Sequence, residues 1–191
     1  MNDKTTTDNL IPEIPEETYE FLKLKEEKEY KLRVVSPIIC GYEGWIEEVI
    51  NGKTVRTSKK FKTKEEADKV EFSPGKYDDP NEKAEAVFFW AMIVWNYELE
   101  ALQVFQVNQK TIQKKIKALS SDTEWGHPRN YDIKITRINN KPVEYSINTS
   151  PPKSVKKEII ELYKKVNPDL DLLFSNGHPL RKKRDNEDAP F

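Results

Sequence analysis

The residue types that could do chemistry in this chain fall into two groups. The first is what an enzyme or metal centre would draw on: His127 and His178, the single cysteine Cys40, and the acid pairs Glu47-Glu48, Glu65-Glu66 and Asp78-Asp79. These residues do not converge. The histidines sit far apart in loop-like stretches, whereas zinc sites pair their ligands at short spacing. Adjacent acids on a strand point to opposite faces and cannot share a site. Gly41 and Gly44 form no phosphate-cradling pattern, and no Walker sequence occurs. No catalytic residue, metal or cofactor is therefore expected, and the chain does not read as an enzyme. The second group is a set of cations interleaved with aromatic rings. Lys31, Arg33, Lys59, Lys60, Lys62, Arg129, Lys134 and Arg137 fall near Tyr42, Trp45, Phe61, Trp90, Trp95 and Tyr97. A single nucleic-acid strand is held by this combination, with flat π-faces for base stacking and cations that follow the phosphates.

The elements that must position these side chains are mostly strands. Tyr30 to Val35 alternates apolar and basic residues, with Leu32 and Val34 on one face and Lys31 and Arg33 on the other. Ile38 to Ile50 follows Pro37 and ends at Asn51-Gly52, a pair suited to a two-residue hairpin turn, so Lys53 to Thr57 should return antiparallel. Residues 58–85 read as a long, partly ordered insertion, in which Thr63 to Glu66 fits a capping box opening a short helix to about Val70. Ala86 to Tyr97 is the strongest strand and is apolar on both faces. Trp90 and Trp95 lie an odd number of residues apart on it. They must face opposite sides, one of them toward the core, and which one meets a ligand stays open. Ala101–Val107 is its hairpin partner. Gln109 to Leu119 switches to helical spacing, with Ile112, Ile116 and Leu119 on one stripe. Tyr131 to Ile138 and Val143 to Ile147 form a second hairpin around Asn139-Asn140. A helix over Ser154 to Val166 and a loop-like stretch from Asn167 follow.

Composition bounds the reading. The 191 residues suit one domain plus tails. Aromatics at 10% argue for a folded core despite a charged fraction of 34%. One cysteine excludes an internal disulfide and favours a reducing, cytoplasm-like setting. No apolar run reaches the ~18 residues of a membrane span, and Met1 to Asn9 lacks an apolar signal core. The formal net charge of −1 conceals a division along the chain. Residues 1–29 hold nine acids and four bases, residues 30–184 hold 28 bases and 21 acids, and residues 185–191 hold three acids. A basic body thus lies between two acidic ends, and a polyanion is the expected partner of its middle.

The strand, insertion, hairpin, helix, hairpin order matches a mainly β architecture, a five-stranded Greek-key OB barrel with its helix between the third and fourth strands. Several local motifs carry a resemblance as well. They are Tyr30-Lys31-Leu32-Arg33-Val34-Val35 with Gly44-Trp45, Phe89-Trp90-Ala91 with Val94-Trp95-Asn96-Tyr97, and Trp125-Gly126-His127-Pro128 before Tyr131-Asp132-Ile133-Lys134-Ile135-Thr136-Arg137, with Tyr145 beyond. The last seven residues, Asp185-Asn186-Glu187-Asp188-Ala189-Pro190-Phe191, add a second. Together these resemble the phage single-stranded-DNA-binding proteins with an OB fold and an acidic tip ending in Pro-Phe. Ala189 stands where the family usually has isoleucine, and Asn186 interrupts the acids. Some relatives bind zinc through cysteine pairs in the insertion; residues 51–85 contain no cysteine, so no metal is carried over.

The resemblance implies sequence-independent binding of single-stranded DNA in phage replication or recombination, inside an infected bacterial cell. It also implies that Asp185, Glu187, Asp188, Pro190 and Phe191 recruit replication and recombination proteins. The expected organisation is an acidic, disordered arm over 1–21, an OB domain over 22–152 with its insertion at 51–85, a C-terminal helix and basic linker over 153–184, and the acidic tip over 185–191. No membrane partner is expected, and the oligomeric state stays open. Two other readings share these features: an interaction adaptor on an OB scaffold, and a single-stranded RNA binder.

Overall fold

Glu29–Val34 (β1) buries Tyr30, Leu32 and Val34 on one face, as its alternation predicts. A computed structural model of the chain, describing residues 21–75, 83–139 and 142–180, shows what continues it. Ser36-Pro37 bends the chain before Ile39–Ile50 (β2). Proline has no N–H for a ladder, so a bend falls where it stands. The neighbouring groups are still paired. The Val35 N–H donates to the Ile93 carbonyl at 3.0 Å, and the Ile93 N–H donates to Ser36 Oγ at 2.8 Å.

Asn51 and Gly52 adopt φ of 51° and 73° and turn β2 into Lys53–Phe61 (β3). This strand runs further than its sequence suggested. Lys59, Lys60 and Phe61 therefore stand on a strand rather than in a partly ordered insertion, because each finds a ladder partner on β2. Lys64–Ala67 (α1) opens with the expected capping box, in which Thr63 Oγ1 accepts from the Glu66 N–H and the Glu66 carboxylate accepts from the Thr63 N–H. Then come Val87–Asn96 (β4), Ala101–Val107 (β5), Lys110–Ser120 (α2), a 3-10 turn at Pro128–Asn130, Asp132–Ile138 (β6), Glu144–Thr149 (β7) and Lys157–Val166 (α3). The stretch read as loop-like contains a further 3-10 turn, Leu170–Ser175, with Leu170 and Leu173 buried.

The strands form one antiparallel sheet of seven, in the order β3-β2-β4-β1-β6-β7, with β5 also on β4. β4 organises it, pairing with β5 along its length, with β2 at Val87–Ala91 and with β1 at Val94–Asn96. The expected count was five strands in a barrel. The Ser36-Pro37 bend divides one long strand into two, and the Asn51-Gly52 hairpin adds another. Among the described residues no ladder joins β5 to β7, so the sheet is open.

Parity along β4 separates two cores. Trp90, Met92 and Val94 face a cluster closed by Ile112 and Ile116 of α2. Phe89, Ala91, Ile93 and Trp95 face the other way, against Ile159 of α3 and Leu170 and Leu173 of the last 3-10 turn. The second cluster also takes in Leu102 and Val104 of β5. The segment after Pro151-Pro152 thus lies across one face of the sheet. Among the described residues no helix is long and apolar enough to cross a membrane.

Candidate nucleic-acid interface

β1 lies between β4 and β6, and its register brings the basic residues of the sheet together. Arg33 is opposite both Trp95 and Asp132, and Lys31 is opposite Lys134. Arg33 was expected at a ligand surface, but both Arg33 and Asp132 are fully buried. Removing a guanidinium from water is costly unless every donor finds a partner. Here the Arg33 Nε–H donates to Asp132 Oδ1 at 2.7 Å, and Nη1 donates to the Lys153 carbonyl at 2.8 Å and the Arg129 carbonyl at 3.4 Å. Arg33 is therefore a positioning residue. It ties β1, the Pro128–Asn130 turn, β6 and the segment at Lys153 into one frame.

Asp132 gathers more than one cation. Lys153 Nζ lies 2.8 Å and Lys31 Nζ 3.5 Å from its Oδ2, and the Tyr97 hydroxyl donates to Oδ1 at 2.9 Å. Burial alone would raise this carboxyl, but the hydrogen bonds from Lys153, Tyr97 and Arg33 outweigh it and hold the group below its ordinary range. Burial and the bond to Asp132 push the Tyr97 phenol up to about 12, so it stays a neutral donor. Three cations share one carboxylate, which leaves excess positive charge where Lys31 and Lys153 reach solvent. Lys31 Nζ also sits 4.7 Å from the centre of the Tyr97 ring. Lys134 completes this flank, with its amine 3.5 Å from Glu29. Trp95 lies beside it, half-buried against the second core.

The hairpin residues form a separate group. Phe61 is opposite Tyr42 and packs edge-on to Phe72 at 6.0 Å, so its ring anchors the α1 segment. Lys59, Lys60 and Lys62 line one cavity of about 470 Å3. Each already has a carboxylate: Glu48 at 3.3 Å, Glu43 at 3.1 Å and Asp171 at 3.0 Å. This cluster is neutralised pair by pair, unlike the group around Asp132. Trp45 is 47% exposed, with the Arg56 guanidinium 5.5 Å from its ring centre.

The remaining expected residues are scattered. Trp90 packs toward α2, and Tyr42 meets Phe88 edge-on at 5.4 Å on that same side of the sheet. Arg137 is opposite Tyr145, whose ring packs on the α2-side core, and its guanidinium pairs with Glu26 at 3.1 Å. Arg129 is exposed beside α3. Asp185, Glu187, Asp188, Pro190 and Phe191 lie outside the described residues, as do the arm up to residue 20 and the basic run Arg181–Arg184. Lys153 is the residue that sequence reasoning missed. It follows Pro151-Pro152 in no periodic pattern, and only the buried Arg33–Asp132 pair, 99 positions apart in sequence, brings it to the surface beside Lys31.

Cys40, His127 and His178 do not meet, and among the described residues no three of His, Cys, Asp or Glu gather where a metal could be held. Neither a scan of protein-family models nor searches of curated proteins and of solved structures returned a match to this chain.

Proposed function

We propose that this protein is a non-enzymatic, largely sequence-independent single-stranded-DNA-binding protein on an OB-type scaffold. The observation that carries the reading is the group of three cations on Asp132, with excess positive charge at Lys31 and Lys153, beside the Tyr97 ring. Cations next to an exposed aromatic edge suit a strand whose phosphates and bases alternate. The order bent strand, β4, β5, α2, β6, β7 is compatible with a partly open Greek-key barrel. OB folds commonly bind oligonucleotides on the face of their second and third strands. The corresponding face of β4 and β5 is covered here by α3 and Leu170–Ser175. The strand accordingly runs along the uncovered flank of β1 and β6, past Tyr97, Lys31 and Lys134. The setting proposed from the sequence resemblance is phage replication or recombination in the host cytoplasm, with residues 185–191 contacting replication and recombination proteins.

Titrating tryptophan fluorescence with oligo(dT) at two salt concentrations tests this. A response that weakens with salt is expected; no response at either salt sinks the reading. Matched DNA and RNA oligomers separate DNA from RNA preference. A second reading, the interaction adaptor, is favoured by the apolar arm of the first hairpin, where Trp45, Val49, Ile50 and Val55 are 47%, 74%, 48% and 37% exposed. Apolar side chains gathered on an exposed arm suit a protein partner. Under that reading oligo(dT) leaves the fluorescence unchanged.

A further inference from the structure

Between the Pro128–Asn130 turn and α3 lies a cavity of about 560 Å3. That is within the range of small-molecule sites, roughly 300–1,000 Å3. Its wall sets three cations, Arg129, Lys153 and Lys164, against the apolar and aromatic surface of Val155, Ile160 and Tyr163. No acid lines it. The frame behind the cations is rigid. The Lys153 N–H donates to the Asn130 carbonyl at 2.7 Å, and the buried Arg33 holds the carbonyls of both Arg129 and Lys153. Lys153 is engaged with Asp132, whereas the side chains of Arg129 and Lys164 form no ion pair among the described residues. Tyr163 also packs on the second core, which fixes its ring as a wall of the cavity.

We infer that this cavity takes one nucleotide, its phosphate between Arg129 and Lys164 and its base against Tyr163 and the aliphatic wall. Cations alone would suit any anion; the apolar wall beside them is what selects a base-bearing phosphate. The nucleotide could be free or one unit of a bound strand. The strand case rests on the proposed function, and the free case stands without it.

The test uses the full chain, the charge-reversed variant R129E/K164E, the milder K164A, and K114E/K117E as a charge-matched control. Lys114 and Lys117 are exposed on α2, which packs on the opposite face of the sheet. Binding of dTMP and of oligo(dT) is measured at low salt, with inorganic phosphate as competitor and thermal melts to confirm folding. R129E/K164E is expected to weaken at least one probe by about tenfold relative to the control, with K164A intermediate. On oligo(dT) it should flatten the log–log salt slope by roughly 1.4, about 0.7 for each lost phosphate contact. Loss on dTMP identifies a site open to free nucleotide, and loss on oligo(dT) alone identifies a strand subsite. The inference is overturned if R129E/K164E matches the control with both probes, if the full chain binds neither, or if inorganic phosphate displaces dTMP as well as dTMP itself does. A full chain that binds no oligo(dT) overturns the proposed function, and the cavity is then decided by dTMP alone.

Discussion

Asp132 is the residue on which the interface depends, and its chemistry predicts a pH response. Its carboxyl is held below the ordinary range in the folded chain, against ~3.9 when unfolded. A depressed folded pKa contributes stability that is complete above the unfolded value and is lost as pH falls through the folded one. Thermal stability should therefore drop below about pH 4, and Asp132→Asn should flatten that acid limb of the melting-temperature profile. At neutral pH the same substitution leaves the buried Arg33 without its counter-charge. It should cost about 3–5 kcal/mol in denaturant unfolding, the scale for breaking a buried ion pair. Tyr131 gives the opposite case. Its hydroxyl is buried without a hydrogen-bond partner, and desolvation pushes the phenol up to about 12. Tyr131→Phe removes an unsatisfied group while keeping the ring, so unfolding free energy should be unchanged or rise by up to ~1 kcal/mol. A loss above that would show that the hydroxyl is satisfied by water.

At the scale of elements, two glycines let the covering segments lie on the sheet. A Cβ at Gly44 of β2 would fall 2.2 Å from the Phe72 ring, and one at Gly41 would fall 2.6 Å from the Phe61 carbonyl oxygen and 2.7 Å from the Phe174 ring. Gly41→Ala meets backbone as well as a ring. It should cost about 1–3 kcal/mol, as overpacking does. It should also raise amide exchange in Leu170–Ser175 more than in β6 and β7, and uniform exchange would contradict this docking. Most elements were legible beforehand. The Asn51-Gly52 turn, the Thr63–Glu66 capping box, the helical stripe of Ile112, Ile116 and Leu119, and the extent of β5 all depend on neighbours close in sequence. The length of β3 was not legible, because Lys59 to Phe61 become strand only through pairing with Tyr42 to Gly44. Nor was the packing of Leu170 and Leu173, which follows from an apolar face on β4 and β5 that needs a cover.

For the whole molecule, the charge division predicts how binding should respond to salt. Lys31→Ala and Lys134→Ala should each lower the oligo(dT) salt slope by about 0.7, one phosphate contact on a single strand. Lys59→Ala, whose amine already faces Glu48, should change it less. Equal slopes for all three would contradict a strand path along β1 and β6. Removing the acidic residues 185–191 should tighten oligo(dT) binding at low salt and leave it unchanged at high salt, where screening erases competition between the acids and DNA.

The sequence by itself determined the strand and helix pattern, the opposite orientation of Trp90 and Trp95, and the basic middle between acidic ends. These follow from periodicity and counting, which are local. Only the tertiary structure decided which cations are available. It buried Arg33 on Asp132, balanced Lys59, Lys60 and Lys62 against individual acids, and raised Lys153 beside Lys31. A cation's worth at a surface depends on the carboxylates that folding brings within about 4 Å, and those contacts come from residues tens of positions away.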